Sequence, residues 1–178
     1  MKERQTMILR PIASFACTVL LAATSFAQAV PSPPVTATVS LSGKSITVKY
    51  SAPSMRGRKI AGELVPYDKV WRTGANEATS FVTAANLKIG STSVPAGSYT
   101  LFTLPGSSQW LLIVNKQTGQ WGLAYEEAQD LARIPMKSAK LPAPQEKMSI
   151  SFENTKGNST ELHVKWENFD ESVTITAQ

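Results

Sequence analysis

Trp71, Arg72, Asn76, Glu77 and Thr79 crowd into one short run, and Arg58 and Tyr67 lie just upstream, in the stretch RGRKIAGELVPYDKVWRTGANEAT. Indole and phenol rings offer flat faces on which sugars and other planar or apolar groups stack. Forked guanidinium donors suit a carboxylate or a phosphate. Asn76, Glu77 and Thr79 add short-range donors and acceptors, and Gly74 lets the backbone turn without a Cβ clash. This set predicts a binding site for a small polar or carbohydrate-like ligand along residues 58–79. Two other readings use the same side chains. In a hydrolase- or lyase-type enzyme Glu77 would be the general acid or base, Arg72 would stabilise charge and Tyr67 would donate a proton. In a structural cell-envelope protein Arg72 would pair with Glu77, Asn76 would cap the turn, and the cluster would pin a loop to its sheet.

Other chemistries lack their residues. His163 is the single histidine, and Cys17 is the single cysteine. That makes a His- or Cys-based metal site improbable, and no cofactor is expected. No G-x-S-x-G elbow accompanies the histidine, which argues against a serine triad. Acids at Glu63, Asp68 and Glu77, or at Glu126, Glu127 and Asp130, could form a carboxylate pair, but their separation is a tertiary quantity. His163 alternates with Leu162 and Val164, so it reads as an exposed strand residue beside Glu161 and Lys165. The tightest basic cluster, RGRK at residues 56–59, is too narrow for a nucleic-acid stripe.

The elements that must position the site are mostly strands. Val35, Ala37, Val39 and Leu41 alternate with polar residues, Ser42 and Gly43 turn the chain, and Ile46, Val48 and Tyr50 alternate again, which predicts a hairpin. Residues 51–76 break the pattern with Pro53, Gly57, Gly62, Pro66 and Gly74, yet carry enough apolar and aromatic residues to predict an ordered loop packed on the sheet. Strands resume at residues 79–84 and 87–89 and in SYTLFTL. Residues 110–114 are apolar throughout, which predicts burial on both faces. Residues 125–134 predict the one short helix, with Tyr125, Ala128 and Ala132 on a face, although DLARIPMK fits a strand equally well. KLPAPQE at 140–146 reads as a linker, 153–159 and 167–171 as turns, and Met148, Ile150, Phe152, Leu162, Val164, Trp166, Val173 and Ile175 as the inward positions of the last strands. Eight or nine short strands separated by regular turns predict a mostly β fold, an antiparallel β-sandwich with one long ordered loop and at most one short helix.

The N-terminus predicts export. Lys2, Arg4 and Arg10 precede an apolar run over residues 12–26, and Ala27, Gln28 and Ala29 place small residues for cleavage before Val30. The run is shorter than the ~20 residues a membrane span needs. Ser14 stands where a lipobox around Cys17 would want leucine, so lipidation is not expected. Removing residues 1–29 of 178 leaves one domain, residues 30–178, without cysteine, and the net charge falls from +5 to +3. A periplasmic or secreted chain held by packing alone follows, with a small molecule or glycan as its partner, no nucleic acid, and no stable membrane insertion once the leader is gone.

The stretches RGRKIAGELVPYDKVWRTGANEAT, VPAGSYTLFTLPG, WLLIVNK and QWG resemble the bacterial family of domain of unknown function 2911, over about residues 35–175. The motif positions matched are Arg58, Gly62, Pro66, Trp71, Arg72, Gly74, Asn76, Glu77 and Thr79. Ala61 departs from the aromatic residue often found there. The resemblance implies a secreted or periplasmic β-rich protein and brings no reaction with it.

Overall fold

The computed structural model describes residues 31–178; the expected leader and Cys17 lie outside that range. Ten strands run β1 (Pro34–Leu41), β2 (Lys44–Ser51), β3 (Ala75–Thr83), β4 (Leu87–Ile89), β5 (Thr92–Val94), β6 (Gly97–Leu104), β7 (Leu111–Asn115), β8 (Asp130–Pro135), β9 (Lys137–Lys156) and β10 (Ser159–Ala177). They form two antiparallel sheets, one ordered β1-β2-β3-β6-β7-β8 and one ordered β5-β4-β10-β9. The sandwich is as the alternation predicts. Ser42 and Gly43, with φ of 51° and 77°, make the two-residue turn that pairs Leu41 with Lys44 and sets the β1–β2 register.

Between the sheets lie Ile46, Val48, Phe81 and Leu101 from one side and Leu87, Ile150, Val164 and Trp166 from the other, all buried. Trp166 is the largest fully enclosed side chain. At about 25 cal/mol per Å², its burial contributes roughly 4–6 kcal/mol before entropy. The continuous apolar run at 110–114 is buried on both faces apart from the half-buried Leu111. Ile113 and Phe102 lie fully buried beside the polar Thr100 and Asn115, and Tyr125 meets Phe102 edge-on at 4.9 Å between ring centres.

Four local readings give way to tertiary pairing. The expected helix at 125–134 shrinks to a 3-10 turn, Glu127–Gln129, and the rest is β8, with Ile134 opposite Leu112 and Ala132 opposite Val114. The alternation of the sequence fits both periods, and the open edge of β7 selects the strand. The expected linker at 140–146 belongs to β9. Gln145 pairs with Glu167 and Lys140 with Phe169, so residues 141–144, with their two prolines, bulge opposite Asn168. The expected turn at 167–171 is strand too: Phe169 and Glu171 point inward, and only Glu167 turns left-handed, with φ of 48°. His163, expected on the exposed face, is 8% exposed. The bulge at Glu167 bends β10 so that Asp170 closes over the imidazole.

Candidate functional site

The insert between β2 and β3 has no regular structure, yet it is tied down along its length. Met148 N donates to Pro53 O at 2.9 Å and Met55 N to Glu146 O at 2.8 Å. The Glu167 carboxylate accepts from the backbone of Ala61 at 3.0 Å and of Ile60 at 3.3 Å. Asp68 N donates to Pro105 O at 2.8 Å, and Trp71 and Thr103 exchange both backbone hydrogen bonds. Ile60 and Val65 drive into the core. The Trp71 ring stacks on Trp166 at 5.9 Å and meets Trp110 edge-on at 6.3 Å. A segment with this many fixed points presents its side chains from a rigid base.

Thr79, fully buried, donates through Oγ1 to Thr73 O at 2.9 Å, and Thr73 donates to Thr103 Oγ1 at 3.1 Å. A Cβ on Gly74 would sit 3.1 Å from both Ser51 O and Thr79 Oγ1, so glycine serves close packing here. Asn76 takes a left-handed conformation, φ 59°, which asparagine tolerates better than most residues. Past it, the Gln120–Gly122 backbone pairs with β3 beyond the Thr79–Leu101 pair at which β3 and β6 part: Ala78 N donates to Gln120 O, and Gly122 N donates to Asn76 O. A Cβ on Gly122 would lie 2.4 Å from Arg72 Cδ and 2.6 Å from Asn76 O. Only glycine lets this segment pass so close to both.

These contacts frame a cleft of about 410 Å³ lined by Arg58, Trp71, Arg72 and Asn76, with Leu64, Val70, Leu123 and Trp166 among its walls. Four of the seven residues singled out in the sequence therefore share one cavity. The other three do not line it. Tyr67 folds over Gly62, where its ring stands 2.8 Å from the place a Cβ would take. Thr79 is spent on the backbone, as above. Glu77 lines a separate cleft of about 350 Å³ with Lys49, Ser80 and Gln120. Arg72 does not pair with Glu77; its Nε donates to Gly74 O at 3.2 Å. Arg58 donates to Met55 O and Ser54 O at 2.9 and 2.8 Å. Neither arginine forms an ion pair among the described residues.

The family described as protein of unknown function (DUF2911) matches residues 32–175. The chain belongs to this family. No curated protein and no solved structure matches it.

All the cleft residues fall inside the DUF2911 match. Sequence reasoning missed Leu123, Gly122 and Trp166. Trp166 reads as a core residue, which it is, while its ring also reaches the cleft wall. Gly122 stood in the QWG motif, but nothing local says that its missing Cβ makes room for Arg72.

A second polar cluster of this DUF2911 chain sits on β9 and β10. His163 Nδ1 lies 2.7 Å from Asp170 Oδ1, and Nε2 is buried without a hydrogen-bond partner, 3.6 Å from Glu161 and 4.0 Å from Glu153. Lys165 Nζ donates to both oxygens of Glu153 at 2.7 and 2.8 Å. Burial opposes ionisation of Glu153, but the hydrogen bonds from Lys165 and Ser151 outweigh it and hold the carboxyl below its ordinary range. The amide of Asn154 lowers Glu161 in the same way. Among the described residues no His, Cys, Asp and Glu group is placed to hold a metal ion, and no helix is long and apolar enough to cross a membrane.

Proposed function

We propose that this chain is an exported β-sandwich that binds a small polar ligand in the cleft lined by Arg58, Trp71, Arg72 and Asn76. The observation that carries the reading is the convergence of those side chains on one open cavity of about 410 Å³. Clefts of a few hundred Å³ with aromatic walls and a few polar groups are the usual form of a small-molecule site. Binding without chemistry is favoured because Glu77, Arg72 and Tyr67, the set a hydrolase or lyase would need, line no common cleft. A purely structural role would seal Arg72 against Glu77, and that pair is not formed.

Thermal-shift screening of the purified chain against sugars, short peptides and organic acids tests the reading. A true ligand raises the melting temperature with concentration, because it binds the native state alone. No stabilisation by any class counts against it. Export is tested separately: the full chain expressed with its leader is expected outside the cytoplasm, with an N-terminal sequence beginning at Val30. A cytoplasmic chain that keeps residues 1–29 would refute that part.

A further inference from the structure

We infer that the ligand of this cleft is an anion, a carboxylate or a phosphate, carried on an apolar or aromatic body. The inference rests on the binding reading above and narrows it.

The charge comes first. Two arginines line the cleft and no Asp or Glu does. Elsewhere the chain neutralises even an exposed guanidinium: Arg133 bonds Asp130 at 2.9 Å and Glu127 at 2.8 Å. Arg72 is half-buried, yet it meets only the Gly74 carbonyl, through Nε. Its two η nitrogens have no acceptor among the described residues. Arg58 likewise spends donors on two carbonyls and meets no carboxylate. A guanidinium drawn partly out of water without a counter-ion is costly, and a bound anion would remove that cost with forked hydrogen bonds.

The walls supply the second half. The ring of Trp71, already stacked on Trp166, and the side chains of Val70, Leu64 and Leu123 leave apolar surface in and around the cavity. Leu123 is 74% exposed and Leu64 43%, so two apolar side chains stand open to solvent beside the Trp71 ring. A ligand body lying on these groups would shield them from water.

Neutral sugars fit less well. Their hydroxyls donate as well as accept, and such sites need acceptors. The charged groups of this cleft are donors only, and Asn76 and Ser32 are the polar side chains left to accept.

Isothermal titration of the purified chain with octanoate, 4-phenylbutyrate and octyl phosphate, each acid set against its neutral amide or alcohol, tests the assignment. Methyl glucoside and inorganic phosphate complete the set. The acids are expected to bind about tenfold or more tightly than their neutral partners. The better of the carboxylate and phosphate arms identifies the head group, and inorganic phosphate without a body is expected to bind weakly. Arg72→Gln is expected to abolish the difference between acid and neutral partner. Lys88→Gln, which removes the same charge from the other sheet, is expected to leave it intact. Arg58→Gln, at an exposed side chain, replaces Arg72→Gln if that variant does not fold. Glucoside or amide binding as tight as the acids, indifferent to Arg72→Gln, overturns the anion assignment while the binding reading stands. No heat from any probe overturns both.

Discussion

Asp170 Oδ1 lies 2.7 Å from Nδ1 of His163, seven residues earlier on the same strand. Seven residues of straight strand span about 23 Å. The contact therefore requires β10 to fold sharply at the Glu167 bulge, where β9 answers with the bulged residues 141–144. One corner in two paired strands thus does two things. It buries a histidine among Glu153, Glu161, Lys165 and Asp170, and it turns the Glu167 carboxylate out to the insert that carries the cleft.

Asp170→Ala would remove the acceptor at Nδ1 and leave His163 buried with neither ring nitrogen bonded. Unfolding in urea is expected to show a loss of about 2 kcal/mol, the cost of orphaning a buried polar group. A loss below about 0.5 kcal/mol, the scale of an exposed ion pair, would mean that the bulge holds the corner without this contact.

Glu167→Gly tests the tie between corner and insert. Glycine accepts the left-handed backbone at this position and removes the side chain whose carboxylate holds Ile60 and Ala61. Arg56, Arg58 and Lys59 are exposed just before that tie, and trypsin should reach them. Cleavage after these residues is expected to accelerate about tenfold, in line with a local loss of about 1–2 kcal/mol. An unchanged digestion rate would show that the insert is held by Trp71 and the β9 contacts alone.

Glu171 predicts a pH dependence of stability. It faces the core, 3% exposed, with Ser138 Oγ donating to it at 2.6 Å. Burial, opposed by that hydrogen bond and reinforced by the charge of Asp170, pushes its carboxyl up from 4.5 to about 7. Because the folded-state value is the higher one, the native chain holds the proton more tightly than the unfolded chain. The stability this gives is fully present below the unfolded value and is lost as pH rises through about 7, by at most about 3 kcal/mol. Glu171→Gln, neutral at every pH, is expected to melt with the wild type at pH 4 and above it at pH 8. Equal melting temperatures at pH 8 would show that the carboxylate is solvated when charged.

Much of this chain is legible one residue at a time. The β1–β2 hairpin follows from alternation and a Ser-Gly turn, and the buried β7 from an unbroken apolar run. Both signals are local, because side chains change face at every residue of a strand. The RGRK to GANEAT stretch likewise stands out by composition, and its matched positions carry the family resemblance. The errors cluster where local and tertiary demands diverge. Residues 130–135 satisfy two periods, and only the open edge of β7 decides between them. Residues 140–146 and 167–171 look like connections because prolines and acids punctuate them, yet a bulge absorbs both within paired strands. His163 sits in an outward register but is covered by a side chain from beyond the bend.

The sequence by itself determined the mostly β class, most of the inward positions and the identity of the side chains able to bind, since period and residue type set these. Only the tertiary structure decided which of those side chains meet. Arg58, Trp71, Arg72 and Asn76 come to one cleft because Gly122 yields space to Arg72 and Glu167 holds the insert in place. Tyr67, Glu77 and Thr79 are drawn elsewhere. Distances between groups remote along the chain depend on how the sheets bend and pack, and no local pattern encodes them.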